Sequence, residues 1–460
     1  MLQKILETFK EISSVPRCSF HEEKILAWLE NWAKKHGFDY KIDNAKNIII
    51  YVVWTSWREN ETPIILQNHM DMVCVKDKDS NHNFETDPIE IIQEWNWIKA
   101  NKTTLWADNG IGLAIALNMA FVENHPPLEI LVTTQEEVGL IGALNLDASL
   151  LKWKKIINID TEDLWEICVS SAWWVQLDIH WEYNQISWKY PQYKLVLGGM
   201  KWGHSGVEID KNTYNAIHLF IKFLKDYKNI ELVEFNWWIA DNVIPKEFEA
   251  IIWLENEEEF RQKFQTYIDS LKSKYDLWNI NFKLEEQEEK RPIVGNLGKI
   301  VNDILNIPIW IYSWSEKIEN LVKTSNNLWI LKIQDWKIFI VYMARSSSTD
   351  DVYQIIEKIS NNFKDYKVEN KWIYPGWEQD PDSEFVQDIK KAYDKFTDSH
   401  IVAYHAGLEV WALVEKLGEG AEWVSIWPTI KGAHTTGERC FLPSVEVVAN
   451  VVKEYLESND

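Results

Sequence analysis

Basic residues are in short supply relative to acidic ones. The chain has 48 Lys and Arg residues against 71 Asp and Glu residues, which gives a formal net charge of −23. Such a surplus of carboxylates repels polyanions, so we expect neither nucleic acid nor an anionic membrane surface as a partner. No apolar run approaches the roughly 20 residues of a membrane span. Residues 1–15 read as an amphipathic helix and lack the apolar core and cleavage site of a signal peptide.

Cysteine and glycine are scarce too. Four cysteines, Cys18, Cys74, Cys168 and Cys440, stand without CxxC spacing, which is typical of a reducing compartment and predicts a cytoplasmic location. Glycine occurs 17 times and tryptophan 27 times. An average chain of this length has roughly 32 glycines. The shortage of glycine therefore comes with an unusual surplus of tryptophan.

Short apolar strand patterns alternate with helical patterns along the first part of the chain. The strand patterns lie at 47–53, 63–67, 128–134 and 155–159. This alternation predicts an α/β domain with a largely parallel sheet. From about residue 174 onwards, alternating strands mix with long charged helices, which predicts an inserted α+β domain. We therefore expect two domains, a discontinuous one formed by residues 1–173 and 376–460 and an inserted one formed by residues 174–375.

Five polar residues each follow a strand pattern or occupy a turn: His69, Asp108, Glu137, Asp160 and His434. Two imidazoles and three carboxylates are a ligand set that suits Zn²⁺, with Mn²⁺ or Co²⁺ as alternatives. If one carboxylate is shared, the set can hold two ions about 3.5–4 Å apart that activate one water. Taken singly, each residue also has an ordinary structural explanation. Asp108, for example, can cap the apolar helix that follows it.

Two further acidic residues lie beside this set. Asp71 stands two residues after His69, where a carboxylate can accept a hydrogen bond from a liganding imidazole. Glu136 precedes Glu137, and alone this pair reads as solvated carboxylates that the dipole of a following helix stabilises. Their joint occurrence at successive strand ends favours a metal centre over isolated structural roles.

The motifs around these residues resemble the M20 metallopeptidases, and most of all their aminoacyl-histidine dipeptidase branch. The matching segments span nearly the whole chain in family order and are QNHMDMV, TTLWADNGIGLAIAL, TTQEEVGLIGA, IINIDTE, GGMKWGHSG, NVIPKE, ARSSS, YPGWEQDPDS, HAGLEV and SIWPTIKGAHTTGE. The resemblance implies a discontinuous α/β catalytic domain with an inserted lid domain, a two-metal dipeptidase acting on Xaa-His peptides, and a homodimer. The alternatives are a deacylase of the same family and an inactive relative that only binds.

The resemblance also assigns the metal ligands. Asp108 matches the residue that bridges the two ions. His69 and Asp160 match the other ligands of one ion, and Glu137 and His434 match those of the second. The bond after the bridging aspartate is often cis in the resembling enzymes, so we expect a cis bond between Asp108 and Asn109.

Roles in the reaction follow from the same matches. Glu136 matches the general base, which has to be separate from the ligands because one carboxylate cannot ligate and deprotonate at once. Asp71 matches the residue that orients His69. His204 of the GHSG segment matches a histidine that stabilises the developing oxyanion. Asn242 and Arg345 resemble lid groups that hold the terminal carboxylate of the substrate.

The resemblance indicates which positions the surplus tryptophans occupy. Ten tryptophans stand where the resembling family has glycine: Trp106, Trp165, Trp173, Trp174, Trp202, Trp237, Trp238, Trp372, Trp411 and Trp427. Trp377 instead matches a family tryptophan. Glycine serves where backbone must approach closely or take positive φ. Our hypothesis is that these positions are UGA codons that the source reads as glycine, the alternative being an aromatic-rich lid surface.

Overall fold

The structure is a computed structural model of the chain. It describes all residues except 54, 56, 153, 161–163, 188–190, 202, 204, 207, 212, 213, 238–242, 273, 274, 276, 278, 317–320, 375, 376, 405–408, 419, 459 and 460. The chain divides into two compact units. The first unit comprises Met1–Val169, Gln379–Ala403 and Leu408–Asp460, and the second comprises Ser170–Glu378 and Tyr404–Gly407. The domain limits expected from the sequence stay a prediction.

Helices and strands alternate in the first unit, and strands predominate in the second. The helices are α1 Leu2–Ser13, α2 Glu23–His36, α3 Ala107–Met119, α4 Ile141–Leu144, α5 Ala216–Asp226, α6 Glu257–Lys272, α7 Leu297–Leu305, α8 Thr349–Asn362, α9 Glu384–Asp394, α10 Val410–Leu417 and α11 Leu442–Ser458, with a 3₁₀ turn at Ala148–Leu150. Among the described helices, none combines the length and apolar character needed to cross a bilayer.

The described residues form strands in both units. In chain order, all strands are β1 Asp39–Ile42, β2 Ile48–Val52, β3 Ile64–His69, β4 Ile91–Glu94, β5 Trp97–Ala100, β6 Leu128–Thr133, β7 Lys155–Asn158, β8 Glu166–Ser171, β9 Trp173–Glu182, β10 Gln185–Ile186, β11 Gln192–Gly198, β12 Ile230–Trp237, β13 Phe248–Leu254, β14 Asn281–Gln287, β15 Ile293–Val294, β16 Trp310–Trp314, β17 Val322–Gln334, β18 Lys337–Ser346, β19 Lys367–Tyr374, β20 Trp377–Glu378, β21 His400–Tyr404, β22 Glu422–Ser425, β23 Ile430–Lys431 and β24 Arg439–Phe441.

The main sheet of the first unit runs in the order β1-β2-β6-β3-β7-β22-β8. Its centre is parallel, because β3 pairs in parallel with β6 and β7, and β22 pairs in parallel with β7. All six residues of β3 and of β6 are buried, as expected for strands covered on both faces. Helix α3, buried along nearly its whole length, packs against β3. The predicted α/β class is confirmed, but the sheet is parallel only at its centre, because β1 pairs antiparallel with β2, β2 with β6, and β22 with β8.

A second, smaller sheet of the first unit has the order β23-β24-β5-β4. The loop between β23 and β24 carries His434 and Glu438.

Cys18 and Cys74, with Cα atoms 5.7 Å apart, form a disulfide that the spacing of the cysteines in the sequence does not predict.

The second unit is built on a mostly antiparallel sheet in the order β14-β11-β13-β12-β17-β18-β9-β19, with β16 beside β17. Alternating residues of these strands, such as Leu195 and Leu197 of β11, enter its hydrophobic core. Helices α5, α7 and α8 contribute apolar faces to the same core, for example through Phe220 and Ile304. This combination of antiparallel strands and helices is the expected α+β pattern.

Candidate metal centre

The parallel strands deliver polar residues to one edge of the main sheet. β3 ends at His69, and its neighbour β6 ends at Thr133, directly opposite in the register. Glu136 and Glu137 follow β6 after a short turn, and Asp160 follows β7. Because the carboxyl ends of parallel strands share one edge, side chains from three distant segments meet there.

The turn before α3 brings Asp108 to the same edge. Trp106 has a left-handed backbone conformation, with φ 67°, and Asp108 and Asn109 depart from helical angles. The Asp108–Asn109 bond is cis, which confirms the expectation. Asn109 donates hydrogen bonds through its amide nitrogen to the carbonyl oxygen of Ile159, at 2.7 Å, and to the carboxylate of Asp160. The turn is thereby tied to the end of the neighbouring strand.

The two oxygens of Asp108 face two different groups of side chains. Its Oδ1 lies 3.1 Å from Nε2 of His69, whose Nε2 is also 3.6 Å from Oδ1 of Asp160. Its Oδ2 lies 3.0 Å from Nε2 of His434, whose Nε2 is also 3.0 Å from Oε2 of Glu137. Both sets, His69–Asp108–Asp160 and Asp108–Glu137–His434, have ligand atoms close enough to hold a metal ion. The five residues predicted as ligands therefore lie together, with Asp108 shared.

The side chains fit divalent cations by their chemistry. Oε1 of Glu137 is buried and has no hydrogen-bond partner among the described residues. Burial raises the pKa of Asp160 to about 6, and burial together with the neighbouring charge of Asp108 raises the pKa of Glu137. Asp108 and Glu137 in turn raise the pKa of His434 to about 11. Crowded, partly buried carboxylates of this kind need positive charge beside them, and nitrogen and oxygen ligands suit borderline divalent metals.

Asp71 is more extensively bonded than the sequence suggests. Nδ1 of His69 lies 3.1 Å from the backbone carbonyl oxygen of Asp71 and 3.5 Å from its carboxylate. The same carboxylate accepts hydrogen bonds from Oγ of Ser19, at 2.8 Å, and from the backbone N–H groups of Glu136 and Glu137, at 2.8 and 3.3 Å. Burial opposes the ionised form, but His69 and the Glu136 N–H prevail and lower the pKa of Asp71. Asp71 therefore contacts the His69 ring and also fixes the turn that carries both glutamates.

Glu136 belongs to a third group with metal-binding geometry, His69–Glu136–Glu137. Burial raises the pKa of Glu136 well above its usual value, and Glu137, Asp160 and Glu409 raise it further. His69 acts in the opposite direction. A carboxylate with a raised pKa next to a metal centre is suited to take up and release a proton near neutral pH.

Of the three residues expected from the inserted domain, the structure describes one. His204 and Asn242 lie outside the described residues. Arg345 is a buried residue of β18 in the second unit. The roles assigned to these three residues stay predictions.

Sequence reasoning missed three buried charged residues near the site. Arg17 lies outside the quoted motifs, whereas Glu409 lies within HAGLEV and Glu438 ends SIWPTIKGAHTTGE. Glu409 accepts hydrogen bonds from Nε2 of Gln67, at 2.6 Å, and Oγ1 of Thr133, at 2.9 Å, behind the ends of β3 and β6. Burial raises its pKa to about 8. For Glu409 and Glu438 the place in a motif was the available signal, but their partners Gln67 and Leu105 lie more than 300 positions away. Arg17 had no such signal.

An α/β sheet with a parallel centre, at whose edge strand ends and two loops bring two histidines and several carboxylates around a shared aspartate, is typical of a metal-dependent hydrolase. No protein-family model matches the chain. The cytosol non-specific dipeptidase of Escherichia coli strain K12 is 32% identical over 99% of this chain and 97% of its own length.

Solved structures agree with that relationship. The aminoacylhistidine dipeptidase from Vibrio alginolyticus matches with a TM-score of 0.91 and 28% identity, over 99% of this chain and 96% of that one. The aminopeptidase PepT from Bacillus cereus shares the fold, with a TM-score of 0.62 and 17% identity over 99% of this chain and 98% of that one. The chain belongs to the M20 metallopeptidases, in their aminoacylhistidine dipeptidase branch. It is thus a hydrolase of peptide bonds, and its two-part α/β architecture is the one expected from the sequence.

Proposed function

We propose that this chain is a cytoplasmic dipeptidase that uses two divalent metal ions, Zn²⁺ in the first place, with Co²⁺ or Mn²⁺ as substitutes. The observation that carries the proposal is Asp108, whose two carboxylate oxygens face separate sets of ligand atoms. His69 and Asp160 would complete one site, and Glu137 and His434 the other. When bound, two such ions polarise a peptide carbonyl and lower the pKa of a water molecule.

Proton transfer belongs to Glu136 in this proposal. It takes a proton from the attacking water and delivers one to the amine nitrogen that leaves as the peptide bond breaks. Its raised pKa supports this role because a carboxylate with ordinary acidity holds a proton too weakly to deliver it near neutral pH. Asp71 keeps the Glu136 backbone in place through its hydrogen bond to the Glu136 N–H, and it orients the His69 ring.

Substrate selection is proposed to involve the second unit. His204 would stabilise the developing oxyanion, and Asn242 and Arg345 would hold the terminal carboxylate of a small peptide. The similar proteins differ in their names, one being a non-specific dipeptidase and the other an aminoacylhistidine dipeptidase. We propose the Xaa-His preference that the name of the Vibrio protein indicates, with non-specific dipeptidase activity as the alternative, since both proteins match over 99% of this chain. The active form is proposed to be a homodimer.

Metal analysis combined with a substrate panel tests the proposal. The purified protein should bind two Zn²⁺ per chain and hydrolyse Xaa-His dipeptides faster than dipeptides with apolar second residues. The matched control is Glu136→Gln, which should keep both ions and lose about 10²- to 10⁴-fold in turnover. Turnover restricted to N-acyl amino acids would show a deacylase instead. Two bound ions without turnover on any substrate would show a binding protein.

A further inference from the structure

We infer that Glu438 and Arg17 form a positioning pair that holds the Asp108 turn in the geometry needed to share one carboxylate between two metal ions. The inference rests on the proposed two-metal function and adds two residues to it. Neither residue belongs to the groups of described side chains that could ligate a metal. Both act on the backbone from which Asp108 projects.

The carboxylate of Glu438 accepts hydrogen bonds from four successive backbone N–H groups of this turn. Its Oε2 accepts from Leu105 at 2.8 Å and from Trp106 at 3.3 Å, and its Oε1 accepts from Ala107 at 2.9 Å and from Asp108 at 3.3 Å. The side chain is only 1% exposed. Consecutive N–H groups that converge on one carboxylate form a backbone cradle. Glu438 therefore fixes the path of the chain up to the bridging residue.

Arg17 holds the same turn from its carbonyl side. Its Nη2 donates to the carbonyl oxygen of Trp106 at 2.6 Å, and its Nη1 donates to the carbonyl oxygens of Met70 and Asp71 at 3.0 and 3.2 Å. The residue is fully buried. Arg17 thus links the Asp108 turn to the segment that follows His69, so that ligands from two elements keep a fixed separation.

The close approach of Arg17 explains a glycine in the ADNG turn. A Cβ atom at Gly110 would lie 2.6 Å from Nη2 of Arg17 and 3.0 Å from the ring of Phe9. Any larger residue would displace the guanidinium from the turn. The sequence of the turn is therefore adapted to the presence of this buried cation.

Metal ligands keep productive geometry only when neighbouring groups fix their orientation, and loss of such a supporting partner typically lowers metal affinity about 10- to 100-fold. Glu438→Gln replaces one acceptor oxygen with an NH₂ group that faces backbone N–H donors. We expect the variant to keep its fold but to bind Zn²⁺ about 10- to 100-fold more weakly. Added Zn²⁺ should restore its turnover. A residue that only stabilised the fold would lower the melting temperature and leave the metal affinity of the folded protein unchanged.

The experiment measures the Zn²⁺ affinity of the full-length parent, Glu438→Gln and Glu446→Gln by competition with a chromophoric chelator. Circular dichroism and the melting temperature of the metal-free proteins report whether each variant is folded. Glu446 is an exposed residue of α11, so its variant carries the same charge change without the contacts and should match the parent. Parent-like affinity in folded Glu438→Gln would overturn the inference. A parent that binds no metal would instead overturn the proposed function. If Glu438→Gln does not fold, the Zn²⁺ affinity of Arg17→Lys tests the inference instead. Lysine keeps the positive charge but cannot donate from two nitrogens to the separate carbonyl oxygens that Arg17 holds. Parent-like affinity in Arg17→Lys would likewise overturn the inference.

Discussion

Replacing Trp95 with glycine should stabilise the protein, although it removes a large apolar side chain. Trp95 is the first residue of the two-residue turn that joins β4 and β5, in which Glu94 pairs with Trp97. Its φ is 57° and its side chain is 95% exposed. A positive φ at this position of a tight hairpin favours glycine. The native side chain thus gains almost nothing from burial while its backbone is strained.

The expected change in the free energy of unfolding is the sum of three contributions. The left-handed conformation costs a non-glycine residue about 1–2 kcal/mol. The lost burial is below about 0.5 kcal/mol, because 95% of the side chain is already in water. The greater freedom of glycine in the unfolded chain costs about 0.5–1 kcal/mol. The balance is a net stabilisation of about 0.5 kcal/mol, or roughly 0.5 °C in melting temperature for a chain of 460 residues.

Trp97→Gly is the matched control, since it makes the same substitution two residues later in the same hairpin. Trp97 lies in β5, where its ring packs against Phe441 at 5.0 Å and beneath the guanidinium of Arg439 at 4.8 Å. Losing these contacts should destabilise by about 1–3 kcal/mol. Calorimetric melting measures both changes. A Trp95→Gly variant that melts as far below the parent as Trp97→Gly would refute the reasoning.

The same conformation recurs at other tryptophans. Positive φ values occur at Trp95, Trp106, Trp310 and Trp336, at 57°, 67°, 102° and 65°. Of these four, only Trp106 is among the ten that stand at family glycines, and its buried indole N–H has no hydrogen-bond partner among the described residues. The UGA hypothesis predicts UGA at Trp106, Trp202 and Trp427 and UGG at Trp377 in the coding DNA. UGG at the first three would refute it.

Three further predictions concern single side chains. Asp108→Asn should lower the content of bound metal below two ions per chain, and elemental analysis showing two ions would contradict the shared role. His204→Ala should slow turnover about 10²-fold or more while KM changes little, because it acts on charge that develops in the transition state, and an unchanged turnover number would remove it from the mechanism. Burial and Lys222 lower the pKa of His218 to about 4, so the unfolded chain binds the extra proton first as pH falls below about 6.5. The free energy of unfolding should fall by about 2–3 kcal/mol between pH 6.5 and 4 because of this group. Urea unfolding of His218→Gln should show a smaller decrease in the free energy of unfolding over the same pH range.

The sequence by itself determined the α/β class and the order of the candidate ligands. Apolar runs such as 128–134 are typical of buried strands, and the carboxyl ends of parallel strands lie at a common edge. The polar residues directly after those runs, His69, Glu137 and Asp160, could therefore be placed together from the pattern of strands alone. Motif resemblance added His434, which no local pattern identifies.

Only the tertiary structure decided how the site is held. Glu438 bonds to Leu105 across 333 positions, and Glu409 to Gln67 across 342. Such pairs have no periodicity, because loops are placed by the packing of the elements that they join and not by their own propensities. The left-handed conformation of Trp95 was hidden for the same reason, since tryptophan carries no preference for it and the closure of the hairpin imposes it.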